Sequence, residues 1–197
     1  ETSRFITAGT NVKPDMGGAY ALATTSTIEF TNTAGTEEDI RLSRSYGNIV
    51  VSGSNVGVST PTGSLDMKAG TTFTVTPTGT FNVKSSTGFT GAAGAAVSST
   101  NNPAIILQSG STINYNDIAQ PLTPRTDYKN LTISGTGAKT AASVFNVAET
   151  FTRSGDALLA TTSPTYGTNA TLAYVDNTNG RIYTAGLEWP IASGPTN

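Results

Sequence analysis

The chain contains no cysteine and no histidine in 197 residues. Without cysteine there can be no disulfide, thiolate zinc site or thiol nucleophile. Without histidine, Ser-His-Asp and Cys-His catalysis fall away, along with the commonest transition-metal ligand. Charge is scarce too: Asp, Glu, Lys and Arg make up 12%, about half of the roughly 25% usual in soluble domains. The formal net charge is -2 and the basic residues are scattered singly, so no patch suits nucleic acid. No apolar run approaches the ~20 residues that cross a bilayer, and no basic amphipathic helix could lie on one. Helical periodicity is missing as well. The absences remove thiol and imidazole chemistry and point to an all-β protein, for which no cofactor is expected.

What the chain does have is repetition. YGNIVVSG at 46–53 and YKNLTISG at 128–135 are nearly one phrase, preceded by STIEFTN at 26–32 and STINYND at 111–117. A fainter third copy follows at an offset of 59 from the second, pairing Thr112 with Thr171, Tyr115 with Tyr174 and Ser134-Gly135 with Ser193-Gly194. Such self-similarity marks stacked units, none of which can bury its apolar face alone.

Between 63 and 89 the pattern is sharper. Leu65, Phe73, Phe81 and Phe89 recur every eight residues, with Met67, Val75 and Val83 two behind the first three. An i, i+2 apolar pair puts both side chains on one face of a strand, while Asp66, Thr74 and Asn82 point the other way. Gly63, Gly70, Gly79 and Gly88 precede the apolar positions and mark corners. Tight Asn-Gly or Asp-Gly hairpin turns are confined to Asn179-Gly180, which argues against a meander. A chain that turns corners in one sense winds into a parallel β-solenoid, the alternative being an array of antiparallel β-sandwiches. Strands are expected at 27–31, 48–52, 64–68, 72–76, 80–84, 104–108, 111–115, 130–134, 144–152, 170–175 and 181–184. The repeated phrase reads as one rung of about 22 to 28 residues, which gives roughly seven to nine rungs.

Residues 1–23, with Met16-Gly17-Gly18, fit the pattern poorly and read as an N-terminal cap or incomplete rung. The solenoid region is 24–197. The start at Glu1 without a signal peptide, and an end just after a Ser-Gly with no cap-like segment, suggest a trimmed piece of a longer extracellular product.

The wording of STINYND, YKNLTISGTGAKT, FNVAETFTRSG and NATLAYVDN to GLEWP resembles the degenerate repeats of large secreted and cell-surface adhesin-like proteins of Bacteroidota. Their units follow Y-x-N-L-x-[LI]-S-G-x-G-x-K-T. The resemblance covers 111–197 best and 26–53 well. It implies a right-handed parallel β-helix, export by the type 9 secretion route, and a role in attachment, gliding or biofilm formation at the cell surface. Surface polysaccharide or other secretion and cell-surface components are the partners it implies. The repeats share no agreed ligand site, so no site residue carries over.

Candidate chemistry is sparse. Tyr46, Tyr115, Tyr128, Tyr174 and Trp189 read as inward or corner packers, with a sugar-stacking surface as the alternative. Glu37, Glu38, Asp39, Arg41 and Arg44 form the densest charge cluster. A lyase- or hydrolase-like β-helix would want such carboxylates with a base. The later copies have only Asp127 nearby, which favours a solvated salt-bridged loop. Asp176 to Gly180 is oxygen-rich, but its glycine falls fifth and Thr178 third, so a turn fits better than a calcium loop. Asn130 and Asn169 match the N-glycosylation pattern, though Asn130 is better explained as a stacked turn position shared with Asn48. Thr72, Thr74, Thr76, Thr78 and Thr80 alternate in the manner of an ice-binding face. Asp66, Lys68 and Lys84 nearby break such a row, leaving β propensity as the explanation. The sequence therefore predicts a structural or adhesive segment, with a carbohydrate-active β-helix whose site lies partly outside it as the alternative.

Overall fold

A computed structural model describes residues 4–7, 22–40, 42, 44–58, 63–175, 182–191 and 194–195. These form a parallel β-solenoid of about seven turns, with no helix. Every strand pair is parallel, so the antiparallel sandwich alternative falls away.

Four walls build the coil. Wall 1 stacks Arg4–Thr7, Thr27–Phe30, Asn48–Val51, Thr72–Val75 and Ala104–Leu107 in that order. Wall 2 stacks Glu38–Asp39, Val56–Val58, Thr80–Val83, Thr112–Tyr115, Tyr128–Ile133 and Asn146–Ser154, topped by Thr165–Tyr166 and Thr171–Val175. Wall 3 holds Ser45–Tyr46, Asp66–Met67 and a bridge from Leu65 to Val97. Wall 4 holds Gln120–Leu122, Thr136–Ala141 and Asp156–Ala160.

The eight-residue period is the side of a triangle. Leu65 and Met67 face inward from wall 3, Phe73 and Val75 from wall 1, Phe81 and Val83 from wall 2, all fully buried or nearly so. Three such sides make a turn of 24 residues, the step from Ile49 to Phe73 stacked on it. The next turn is eight longer, Phe73 to Ile105 and Phe81 to Ile113, because 88–99 makes a detour. Phe89 lies on that detour yet is buried, with its ring centroid 6.0 Å from Phe73 and 5.7 Å from Phe81. Turns then shorten: Ile113 to Leu131 is 18 residues, Leu131 to Phe151 is 20 and Phe151 to Leu172 is 21. The short turns omit walls 1 and 3 and close through wall 4, so wall 1 stops at Ala104–Leu107 as a shelf.

The repeated phrase is longer than one rung, correcting the sequence reading. It contains a strand and the strand stacked on it one turn later. Thr27 and Ile28 lie under Asn48 and Ile49 in wall 1, and Thr112 and Ile113 lie under Asn130 and Leu131 in wall 2. The same words serve two walls because their physics is local. Asn48 Nδ2 donates to Thr24 O at 2.9 Å and Asn130 Nδ2 to Gly110 O at 2.9 Å, each reaching down to the preceding turn. Ser52 Oγ donates to Glu29 Oε1 at 2.6 Å and Ser134 Oγ to Asn114 Oδ1 at 2.8 Å, again one rung below. The offset of 59 is three turns: Thr112, Asn130, Thr150 and Thr171 share one column, as do Tyr115, Ile133, Arg153 and Tyr174. Ser193 of the third copy lies outside the described residues, as do Met16-Gly17-Gly18, Arg41 and Asp176 to Gly180.

The glycine of the phrase is a matter of space. A Cβ on Gly53 would overlap the backbone of Thr31 and Asn32 one turn below, and Gly135 holds φ at 72° with Asp117 O 2.7 Å from where a Cβ would sit. Backbone cannot yield as a flexible side chain can. Gly53→Ala is therefore expected to lower stability by at least ~2 kcal/mol, in line with enforced backbone shifts elsewhere, read as a fall in urea midpoint followed by circular dichroism.

Several strands differ from the sequence reading. Residues 182–184 form no strand, whereas Thr136–Ala141 and Asp156–Ala160 do. Their Gly, Ala, Lys and Asp residues carry little β signal. Stacking on a neighbouring rung decides them. Lys139 even points inward: it is fully buried beside Gln120, and its Nζ donates to the carbonyls of Asp117, Ile118 and Thr136. Burial lowers its pKa from 10.5 to about 8, with the Asp117 charge opposing. Between pH 8 and 10.5 the unfolded chain holds this proton and the folded chain does not, so stability rises with pH there. Tyr115, Tyr128 and Tyr166, pushed upward by burial, act in the opposite sense only above about pH 10. The urea midpoint is expected to climb from pH 8 to about 10 and then fall, and Lys139→Met should flatten the climb while leaving the fall.

Candidate functional site

The ring-bearing residues separate by position. Tyr46, Tyr115 and Tyr128 are buried, which corrects any reading of them as a sugar-stacking surface. Tyr115 and Tyr128 instead pin a loop. Tyr128 OH donates to Thr123 O at 2.7 Å, so its one proton is committed; Tyr115 OH therefore donates to Tyr128 OH at 2.8 Å and accepts Thr123 N–H at 3.0 Å. Two phenols thus fix the 123–127 loop from inside. The repetition of Tyr46 and Tyr128 reflected packing, since Tyr46 sits over its own wall opposite Met67.

Above the shelf at Ala104–Leu107, that loop and the 88–99 detour enclose a cleft of about 260 Å³. Thr90, Val97, Ser98, Asn102, Ile105 and Arg125 line it. Arg125 is held on every side. Its Nε and Nη2 donate to the two oxygens of Asp127 at 2.8 and 2.6 Å, its Nη1 donates to Thr90 Oγ1 at 3.2 Å, and its guanidinium lies 5.8 Å from the centre of the Phe89 ring. Thr123 Oγ1 ties loop to detour, accepting Phe89 N–H at 2.9 Å and donating to Thr90 O at 3.1 Å. A bidentate guanidinium–carboxylate pair leaves neither group free as a base. The lining offers hydroxyls, an amide and an aliphatic wall, which suits hydrogen bonding to a polar ligand more than proton transfer. Arg125 carried no signal in the sequence, because its partners Phe89 and Thr90 lie 35 or so residues away on the detour.

Tyr174 and Trp189 lie at the other end. Tyr174 continues the inward column of Arg153, and Trp189 is exposed. What joins them is Glu188, buried and missed by sequence reasoning. Arg153 Nη1 donates to Glu188 Oε1 at 2.7 Å, Tyr174 OH to the same oxygen at 3.2 Å, and Tyr166 OH to Glu188 O at 2.6 Å. The segment 182–190, which the sequence gave no capping role, is thereby anchored over the last rungs.

The acidic cluster is dispersed. Glu37 accepts from Lys84 Nζ at 2.7 Å and Asn82 Nδ2 at 2.6 Å, and Glu38 is buried near Asn32, whose N–H reaches its Oε2 at 3.2 Å. Among the described residues no three acidic side chains gather where a metal ion could sit. Comparison with known protein families, with curated proteins and with solved structures returns no match, and the architecture is that of a parallel β-solenoid.

Proposed function

We propose that the chain is a non-catalytic structural and adhesive segment of a secreted bacterial cell-surface protein, a rigid stalk or display surface for attachment. The observation that carries this reading is the coil itself. An uninterrupted inward column of Val58, Val83, Tyr115 and Ile133 runs through successive turns, giving a stiff rod whose outer face is free to vary. The repeat wording resembles that of Bacteroidota adhesin-like proteins, and the low charge suits an extracellular surface. Charged residues pair singly, as Lys84 with Glu37 and Arg125 with Asp127, instead of converging on one groove. Partners on this reading are surface polysaccharide or other cell-surface and secretion components.

The test joins location to chemistry. Antibody raised against the fragment should label intact producing cells, and the purified fragment should release no reducing ends or unsaturated products from a polysaccharide panel. Turnover of any polysaccharide by the fragment would replace this reading with the carbohydrate-active one.

A further inference from the structure

The outward side of wall 2 carries a pattern that the linear sequence hides. Register places Thr80 and Asn82, Thr112 and Asn114, Asn130 and Thr132, Thr150 and Thr152, then Thr171 and Ala173 on successive rungs. They form two columns of five. Rungs lie ~4.8 Å apart and alternate residues along a strand ~6.6 Å apart, spacings close to repeats of the hexagonal ice lattice. None of the ten positions is charged.

Most hydroxyls in this array make no bond to the described residues. Those of Thr112, Thr132, Thr150, Thr152 and Thr171 have no hydrogen-bond partner among the described residues, and all five side chains are half-buried. The asparagines of the same columns are satisfied internally: Asn114 Nδ2 donates to Asn82 Oδ1 at 2.9 Å and Asn130 Nδ2 to Gly110 O at 2.9 Å. The lowest rung is partly covered: Asn82 is buried and its Nδ2 donates to Glu37 Oε2 at 2.6 Å, with Lys84 paired to the same carboxylate, so Asn82 takes no part in the open face. Glu149 is turned aside onto Ser109 Oγ and Gly110 N–H at 2.6 and 2.9 Å.

We propose that this face of wall 2 adsorbs to ice, its threonine columns taking lattice-ordered water as the ligand. Each threonine presents a hydroxyl that can replace a lattice hydrogen bond beside a methyl around which water is already constrained. Its β-branched χ1 is stiff, and the buried Phe81, Ile113, Leu131 and Phe151 beneath hold the strands in place. A crystalline polysaccharide would call for exposed rings to stack on, and the tyrosines below wall 2 point inward. Of the threonines from 72 to 80 only Thr80 belongs to the array, because that row turns the corner from wall 1 to wall 2. Wall 1 supplies an internal control: its outward columns mix Thr74 with Glu29, Val50 and Ile106.

The test uses the 197-residue chain and pure ice. The wild type should facet a growing ice crystal and suppress recrystallisation. Thr152→Tyr and Thr132→Tyr, each placing a bulky ring in the array, should lose at least tenfold in potency while keeping the wild-type circular dichroism spectrum and urea midpoint. Thr74→Tyr on wall 1 should retain full potency. Round, unshaped crystals with the wild type would overturn the proposal, as would equal potency in either folded wall 2 variant. Retention on microcrystalline chitin or cellulose without any effect on ice would overturn it too, in favour of a glycan-binding face.

Discussion

Phe81→Ala is expected to destabilise the coil by about 3–5 kcal/mol, the range for removing a buried aromatic ring. Phe81 is fully buried, in register between Val56 below and Ile113 above. Its ring meets Phe73 edge-on at 4.9 Å and Phe89 at 5.7 Å. Truncation would open a void shared by the strand walls and the detour, and stacked rungs on either side leave little room to collapse into it. Domains are stable by only about 5–15 kcal/mol in total, so the urea midpoint should fall by a large fraction. Exposed Ser86→Ala, three residues past the same wall 2 strand, should shift it by no more than ~0.5 kcal/mol. A midpoint for Phe81→Ala close to the wild type would mean that the three rings do not share one core.

The second large effect is expected at the end of the coil. Glu188→Ala would strand Arg153, whose side chain is 8% exposed, against a carboxylate side chain 1% exposed in the intact pair. Removing one partner of a buried pair typically costs about 3–5 kcal/mol because the other charge is left uncompensated. Arg153 occupies the inward column that Tyr115 and Ile133 fill lower down, so it cannot reach solvent without unseating the top rungs. Replacing both partners, as Arg153→Met with Glu188→Leu, removes the orphan charge and should recover most of the loss. Hydrogen exchange separates this from a global effect: Glu188→Ala should release protection at Thr171–Val175 and 182–190 while the amides of Thr80–Val83 keep theirs. Recovery in the double variant smaller than the loss in the single one by half or more would show that the pair is needed for more than mutual neutralisation.

The coil was legible because its signals are local. An apolar pair every eight residues names a side, glycine names a corner, and Asn with Ser-Gly names the polar contacts to the turn below. Phe73, Phe81, Ile113 and Leu131 announce themselves in this way. Lys139 and Arg153 do the opposite: both are charged, both face inward, and decisive partners of each, the carbonyls of Asp117 and Ile118 and the Glu188 carboxylate, lie far away in the chain. Arg125 is hidden for the same reason, since half of its surroundings come from a detour that no periodic pattern marks. The threonine array of wall 2 escaped because its rungs are 32, 18, 20 and 21 residues apart, so no fixed period in the chain lines them up.

The sequence by itself determined the class of structure: parallel β strands wound in one direction, with rings and aliphatics inside and hydroxyls outside. Periodicity and corner residues act within a few residues, and they need no distant partner to be read. Only the tertiary structure decided which wall each strand joins, where the triangular coil narrows, and which outward residues fall into columns. Those choices depend on how many residues each turn consumes, and turn length is set by what stacks on the rung beneath.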